Sequence, residues 1–172
     1  MGGGLVAVVL AYPSDKCGEY LMHMLGVVPQ QRGKGLGGKL LSDLIKMLKA
    51  KGAKKLFWTY DPFDFTNTHL YLNKTGAFGT KILLNYYGRL HSKHHGALPT
   101  HRLFCELDLK NPRPDFKQET KLEMPRSAAE LRQMDFKEAV AILDKFFNRA
   151  KELADEGWAA AGIENASLVF KK

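Results

Sequence analysis

Residues 25–41 concentrate the residues most able to do chemistry. Leu25-Gly-Val-Val-Pro-Gln-Gln-Arg-Gly-Lys-Gly-Leu-Gly-Gly-Lys-Leu-Leu41 reads as the end of a strand, a turn, then the start of an amphipathic helix. Gly33, Gly35, Gly37 and Gly38 leave the backbone bare at the turn. Their N–H groups converge where a helix begins and its macrodipole is positive, a setting that suits a pyrophosphate. Arg32 and Lys34 add two cationic side chains beside it. A plain strand–turn–helix would place four glycines in six residues only at an entropic cost.

Several phosphate-binding loops are glycine-rich, and spacing separates them. A Walker loop needs Ser or Thr after Gly-Lys, and none follows here. Gly33-Lys-Gly-Leu-Gly-Gly38 does satisfy the dinucleotide pattern G-x-G-x-x-G. That reading also wants an acid at the end of the next strand. The strand Lys54–Tyr60 leads to Asp61, so spacing alone leaves it open.

Arg32-Gly-Lys-Gly-Leu-Gly37 matches R/Q-x-x-G-x-G/A and resembles the acetyl-CoA loop of the GNAT N-acetyltransferase superfamily. Leu72-Asn-Lys-Thr-Gly-Ala77 is similar to a second family motif, a helix ending in Lys-x-Gly before a strand. Trp58–Pro62, Asn85-Tyr-Tyr-Gly88, Ala97–Arg102, Glu123-Met-Pro and Glu156-Gly-Trp158 resemble a branch of acetyltransferases of unassigned substrate. The resemblance implies an α/β (α+β) GNAT acyl-CoA N-acyltransferase fold, with a central mixed, mostly antiparallel sheet flanked by helices. It implies acetyl-CoA as cofactor and transfer of an acetyl group to the amine of a small molecule or amino compound. The alternative is a non-catalytic CoA-binding protein of the same fold. Leu25 and Val27 would meet the pantetheine arm through their backbone. Arg32, Gly33, Lys34, Gly35, Leu36, Gly37 and Gly38 would hold the pyrophosphate, with Asn67 and Asn73 as further cofactor contacts.

Acetyl transfer to an amine also needs a group that takes a proton from the acceptor and one that serves the leaving thiolate. His23, two residues before Leu25, is the candidate base, because an imidazole exchanges protons near neutral pH. A core or edge histidine would look the same in sequence, and Glu19 is the alternative base. Where the family has a tyrosine, two residues before the Lys-x-Gly, this chain has Leu72. Tyr71 sits one helical step, about 100°, away. Tyr86 is the candidate acid, with Tyr87 beside it, and both could equally serve packing. Asn67, at a helix start, could equally be an N-cap.

These residues need elements to place them. Strands are expected at Leu5–Ala11 and Glu19–Val27, forming a hairpin into the glycine loop. A helix follows over Gly35–Lys51, with Leu36, Leu40, Leu41, Leu44, Ile45 and Leu48 at helical spacing and Gly52 as its stop. Next come a strand at Lys54–Tyr60, a helix at Asn67–Thr75 capped by Gly76, extended chain at Phe78–Tyr86 and a strand at Arg102–Leu109. Asn111-Pro-Arg-Pro-Asp115 reads as a linker. It divides a GNAT core, residues 1–110, from a C-terminal α/β extension, residues 111–172, packed on the core or forming a dimer interface. The extension reads as a strand at Lys121–Met124, helix from Ala128 to about Glu156 with a break near Asp135, and strands at Trp158–Ile163 and Ser167–Phe170. GNAT domains begin with a strand and two helices before the hairpin, so the fold is expected to be N-terminally abbreviated.

Composition sets the remaining bounds. The chain has 172 residues, 45% of them hydrophobic, enough for a substantial core. No run of 18 apolar residues suggests a membrane span, and a cytoplasmic location is expected. Cys17 and Cys105 make no disulfide framework and are read as buried or half-buried thiols. The net charge of +8 suits a ligand carrying several phosphates. No stacking-aromatic or helix-turn-helix pattern supports nucleic acid as a partner. His91, His94, His95 and His101 lack the ordered ligand spacing of a zinc site, so no metal is expected. The partners expected are acetyl-CoA, a small amine and, through the apolar helix face of the extension, a second copy of the chain.

Overall fold

The computed structural model describes residues 4–88, 97–111 and 113–172. The chain forms two compact units, Met1–Trp58 with Glu106–Arg113, and Thr59–Cys105 with Pro114–Lys172.

In the first unit, β1 (Ala7–Pro13) and β2 (Glu19–Val27) form an antiparallel hairpin. Its turn closes through Gly18 at φ 82°, a left-handed value that favours glycine. The ladder slips once. Leu10 pairs with Met24 and Ala11 with Met22, so His23 is the extra residue of a β-bulge. On its other side β2 runs parallel to β3 (Lys55–Tyr60), with Glu19 opposite Lys55, Tyr20 opposite Leu56 and Leu21 opposite Phe57. That register stops at Leu21, while pairing with β1 continues to Val27. Helix α1 (Leu36–Ala50) packs on β1 and β2, and Leu41, Leu44 and Leu48 are buried. Their spacing is the apolar stripe read from the sequence. Gly52, at φ 74°, follows the helix as expected.

The second unit takes up the chain at the end of β3. Asp64 caps a short α2 (Phe65–Thr68), which runs into a π-helical turn, His69–Lys74. One regular helix over Asn67–Thr75 was expected; the helix instead starts two residues earlier and widens. Next come β4 (Phe78–Leu83) and β5 (Arg102–Asp108), whose last residues return to the first unit. After residue 113 the chain adds β6 (Glu119–Glu123), α3 (Ala128–Leu131), α4 (Phe136–Asp155), β7 (Ala159–Glu164) and β8 (Ser167–Lys171). The strand order is β5-β4-β7-β8-β6, with β4–β7, β7–β8 and β8–β6 all antiparallel.

The sequence break near Asp135 is real. Asp135 caps α4 by accepting from the Lys137 and Glu138 N–H groups. Ser127 and Glu130 form a capping box for α3. Along α4, Ala139, Leu143, Phe146, Phe147, Ala150 and Leu153 are buried inside this unit. Phe63 meets Phe146 edge to face at 4.8 Å. The helix face expected to seek a core or a second copy is therefore already covered. The first unit is thus mixed sheet with a helix, and the β4–β7, β7–β8 and β8–β6 pairings of the second are antiparallel.

Candidate functional site

The glycine loop sits between the end of β2 and the start of α1. Pro29–Gln31 form a single 3₁₀ turn, after which Arg32 is extended. Gly33 and Gly35 both take left-handed backbone, at φ 76° and 77°. A side chain at either position would meet no atom within 4 Å, so conformation and not crowding selects glycine there. Gly35 is the N-cap of α1, and no side chain caps the helix. The first intrahelical bond is Lys39 N–H to the Gly35 carbonyl, 3.0 Å. The N–H groups of Leu36, Gly37 and Gly38 stand ahead of it, without acceptors inside the helix. The first turn carries no acidic residue. Arg32 donates through Nε to the Val27 carbonyl at 3.1 Å, and Lys34 donates to Gln31 Oε1 at 2.9 Å. Both cationic side chains are thereby held close to the loop. Donors, dipole and charge together make a site for an anion with several oxygens.

Upstream, the parallel register ends and leaves residues 22–27 of β2 without a β3 partner in the ladder. Backbone groups of Leu25 lie in this stretch, whereas the Val27 carbonyl already accepts from Arg32. His23 sits at the bulge, exposed, with its ring 5.6 Å from that of Tyr12 and tilted 35°. It is an edge histidine and not a core one.

The remaining candidates lie in the second unit. Tyr86 is exposed, its ring edge-on to Tyr87 at 4.7 Å. Tyr87 shares a 3.1 Å hydrogen bond with Thr59 Oγ1, and the Arg102 guanidinium lies 5.3 Å from its ring centroid. Tyr71 is buried edge to face against Tyr60, at 5.0 Å. Burial, helped by the Asp64 charge and by Cys105, pushes its hydroxyl well above the usual tyrosine range. Leu72 is fully buried.

Neither asparagine has an idle side chain. Asp64, not Asn67, is the helix cap, and the Asn67 amide donates to Asp64 Oδ2 at 2.9 Å. Asn73 Oδ1 accepts from the Ile163 N–H at 2.9 Å, while its Nδ2 donates to the Ile163 carbonyl at 3.2 Å. It ties the π-helical turn to β7. Cys17 is exposed and Cys105 buried, so only the second fits the expectation of a shielded thiol.

Of the histidines, His91, His94 and His95 lie outside the described residues. His101 is buried, with Nδ1 accepting from the Asn85 N–H at 3.1 Å and Nε2 3.0 Å from Asp144 Oδ1. The first bond places the proton on Nε2, and the second uses it. Sequence reasoning missed this pair, because Asp144 reads as one more acid on a solvated helix face.

A strand, a bulge, an unpaired stretch, a glycine turn and a bare helix start in succession can be compared with known proteins. Residues 1–77 match the model of the acetyltransferase (GNAT) family. The fold is that of the GNAT acetyltransferases. An IAA acetyltransferase from Bacillus cereus ATCC 14579 superposes with a TM-score of 0.54 at 20% identity, over 63% of this chain and 73% of that one. The ribosomal-protein-S18-alanine N-acetyltransferase of Escherichia coli gives 0.54 at 19%, over 69% and 70%. A GNAT family acetyltransferase from Elizabethkingia anophelis, solved with acetyl-CoA bound, gives 0.53 at 22%, over 61% and 69%. No curated protein matches the sequence. Among the described residues, no helix is long and apolar enough to cross a membrane.

Proposed function

We propose that this GNAT-fold chain is an acetyl-CoA-dependent N-acetyltransferase of the cytoplasm, acting on the amine of a small amino compound. The observation that carries the reading is the bare start of α1. Three N–H groups without helical acceptors, two left-handed glycines and two tethered cations are collected at one helix start, a setting that suits a pyrophosphate. The open space beside Gly33 and Gly35 is what a ligand that close to the backbone requires.

Bound acetyl-CoA would supply an activated acetyl thioester. Arg32, Lys34 and the N–H groups from Leu36 to Gly38 would hold its diphosphate, and the free edge of β2 at Leu25 would hold its arm. His23, turned out at the bulge, would accept the proton that the acceptor ammonium must lose. Tyr86 would hold a proton for the departing thiolate. Residues 111–172 are read as an extension of a GNAT core.

One observation favours the non-catalytic alternative. Leu72 stands where the resemblance expects a tyrosine, and its aliphatic side chain has no proton to give a thiolate.

Calorimetric titration with CoA tests the loop. Gly35→Glu puts a carboxylate at the helix start, at a strain of about 1–2 kcal/mol for the left-handed backbone. A folded variant is expected to lose CoA binding. Equal affinity in the variant and the parent would refute the loop assignment. Release of thiol from acetyl-CoA with a panel of amines then separates the enzyme from the non-catalytic protein.

A further inference from the structure

The turn that presents Tyr86 and Tyr87 is held by side chains as well as by backbone. Asn85–Gly88 closes through the Gly88 N–H to the Asn85 carbonyl at 2.9 Å, with Asn85 in left-handed backbone at φ 48°. Thr100 and His101, just before β5, hold it from the other side. The Tyr86 N–H donates to the Thr100 carbonyl at 3.0 Å, and the Tyr87 N–H to Thr100 Oγ1 at 3.0 Å. The Thr100 hydroxyl donates in turn to the Gly88 carbonyl at 2.9 Å. The Asn85 N–H is held by a group that can change its charge, His101 Nδ1 at 3.1 Å. The His101 side chain is 7% exposed, with Nε2 3.0 Å from Asp144 Oδ1 and its ring centroid 4.7 Å from that of Phe147. Asp61, Arg102 and Arg132 line the small cleft beside it, and Arg102 Nη1 donates to the His101 carbonyl at 2.7 Å.

Both ring nitrogens are thus satisfied in one protonation state. With the proton on Nε2, Nδ1 keeps the lone pair that the Asn85 N–H needs. A second proton can go only to Nδ1, where it turns the acceptor into a donor facing a donor. The imidazolium then strengthens its bond to Asp144 and gives up the one from Asn85. We infer that His101 is a pH-sensitive clasp on the Asn85–Gly88 turn, closed while the ring is neutral and opened by its second proton. Imidazoles exchange that proton between about pH 8 and pH 5. The Asp144 and Asp61 carboxyl groups draw the proton in, while Arg102, Arg132 and the lost Asn85 bond oppose it. Thr100 holds the rest of the turn with groups that do not titrate, so the response starts at Asn85. Where Tyr86 serves the departing thiolate, the clasp regulates that site; this use rests on the acetyltransferase reading, and the clasp itself does not.

Amide hydrogen exchange on the full chain, corrected for its intrinsic pH dependence, tests the clasp together with an NMR titration of the His101 ring. The Asn85 amide is expected to lose about tenfold in protection as the ring takes its second proton, because its donor is left without an acceptor. The Phe147 amide, inside α4, should not follow. Asp144→Asn keeps an oxygen for Nε2 and removes the charge. It should therefore carry the ring titration and the Asn85 response to lower pH together. Constant Asn85 protection while the ring titrates would overturn the inference. So would a ring that already holds a proton on Nδ1 at about pH 8, one that stays neutral down to about pH 5, or a variant in which the two midpoints part. The titration of the parent chain decides by itself even if Asp144→Asn does not fold. Neither readout involves CoA or an amine. A failed clasp therefore leaves the acetyltransferase reading intact, and an absence of CoA binding leaves the clasp intact.

Discussion

At the scale of single residues, His23 carries the sharpest consequence. Its type could be read from sequence, but its placement could not. No glycine or proline marks the bulge that leaves it outside the ladder between Met22 and Met24. The flanking residues, Met22 and Met24, are of one type and give the slip no compositional trace. The bulge turns the imidazole out beside Tyr12. If His23 is the base, His23→Ala should reduce turnover by about 10²–10⁴-fold while leaving CoA affinity nearly intact. Full activity of the alanine variant with an amine that the parent acetylates would exclude the role. The asparagines teach the opposite lesson. Asn67 and Asn73 were legible as polar residues at the start and late in one helix. Their partners, Asp64 and the Ile163 backbone, depend on a cap and on a strand ninety residues away, and sequence spacing does not report such contacts.

At the scale of elements, periodicity made most of the structure readable. Helix α1 was plain from Leu41, Leu44 and Leu48, and α4 from Leu143, Phe146, Phe147 and Ala150. The π-helical turn was not, since its residues have no distinct composition and the widening follows tertiary contacts. Caps were half legible. Asp135 signalled its break, and its loss is expected to be costly because it satisfies two N–H groups at once. Asp135→Ala should lower stability by about 1 kcal/mol in urea unfolding. The β7–β8 hairpin offers a gain instead. Both turn residues are left-handed, Asn165 at φ 46° and Ala166 at φ 56°. Such a two-residue turn suits Asn followed by Gly. Ala166→Gly should therefore stabilise the chain by about 1 kcal/mol, read as a higher urea midpoint with unchanged slope. A lower midpoint would show that the added backbone freedom outweighs the relieved strain.

At the scale of the whole molecule, stability should depend on alkali. Burial raises the hydroxyls of Tyr60 and Tyr71 far above an exposed tyrosine, with Cys105 adding to both. A group whose folded pKa is raised lends stability that is complete below its unfolded pKa. That stability is lost as pH climbs from there through the folded pKa. The unfolded value is near 10, so stability should fall steadily above about pH 10. Tyr60→Phe and Tyr71→Phe should each flatten that fall, because phenylalanine has no proton to release on unfolding. Urea midpoints measured between neutral and strongly alkaline pH would show it. An unchanged slope in both variants would mean that other groups set the alkaline limit.

The two compact units are also interleaved along the chain. The first needs residues 106–113, which come after much of the second, and the second resumes only at residue 114. As the chain leaves the ribosome, the hairpin, glycine loop and α1 emerge early but wait for the end of β5 before their unit is complete. Meanwhile the start of the second unit is already out and still lacks β6, β7 and β8. The first unit can be completed only at residue 113 and the second only with β6, β7 and β8, so a pause in synthesis between residues 59 and 113 would leave two half-built sheets at once.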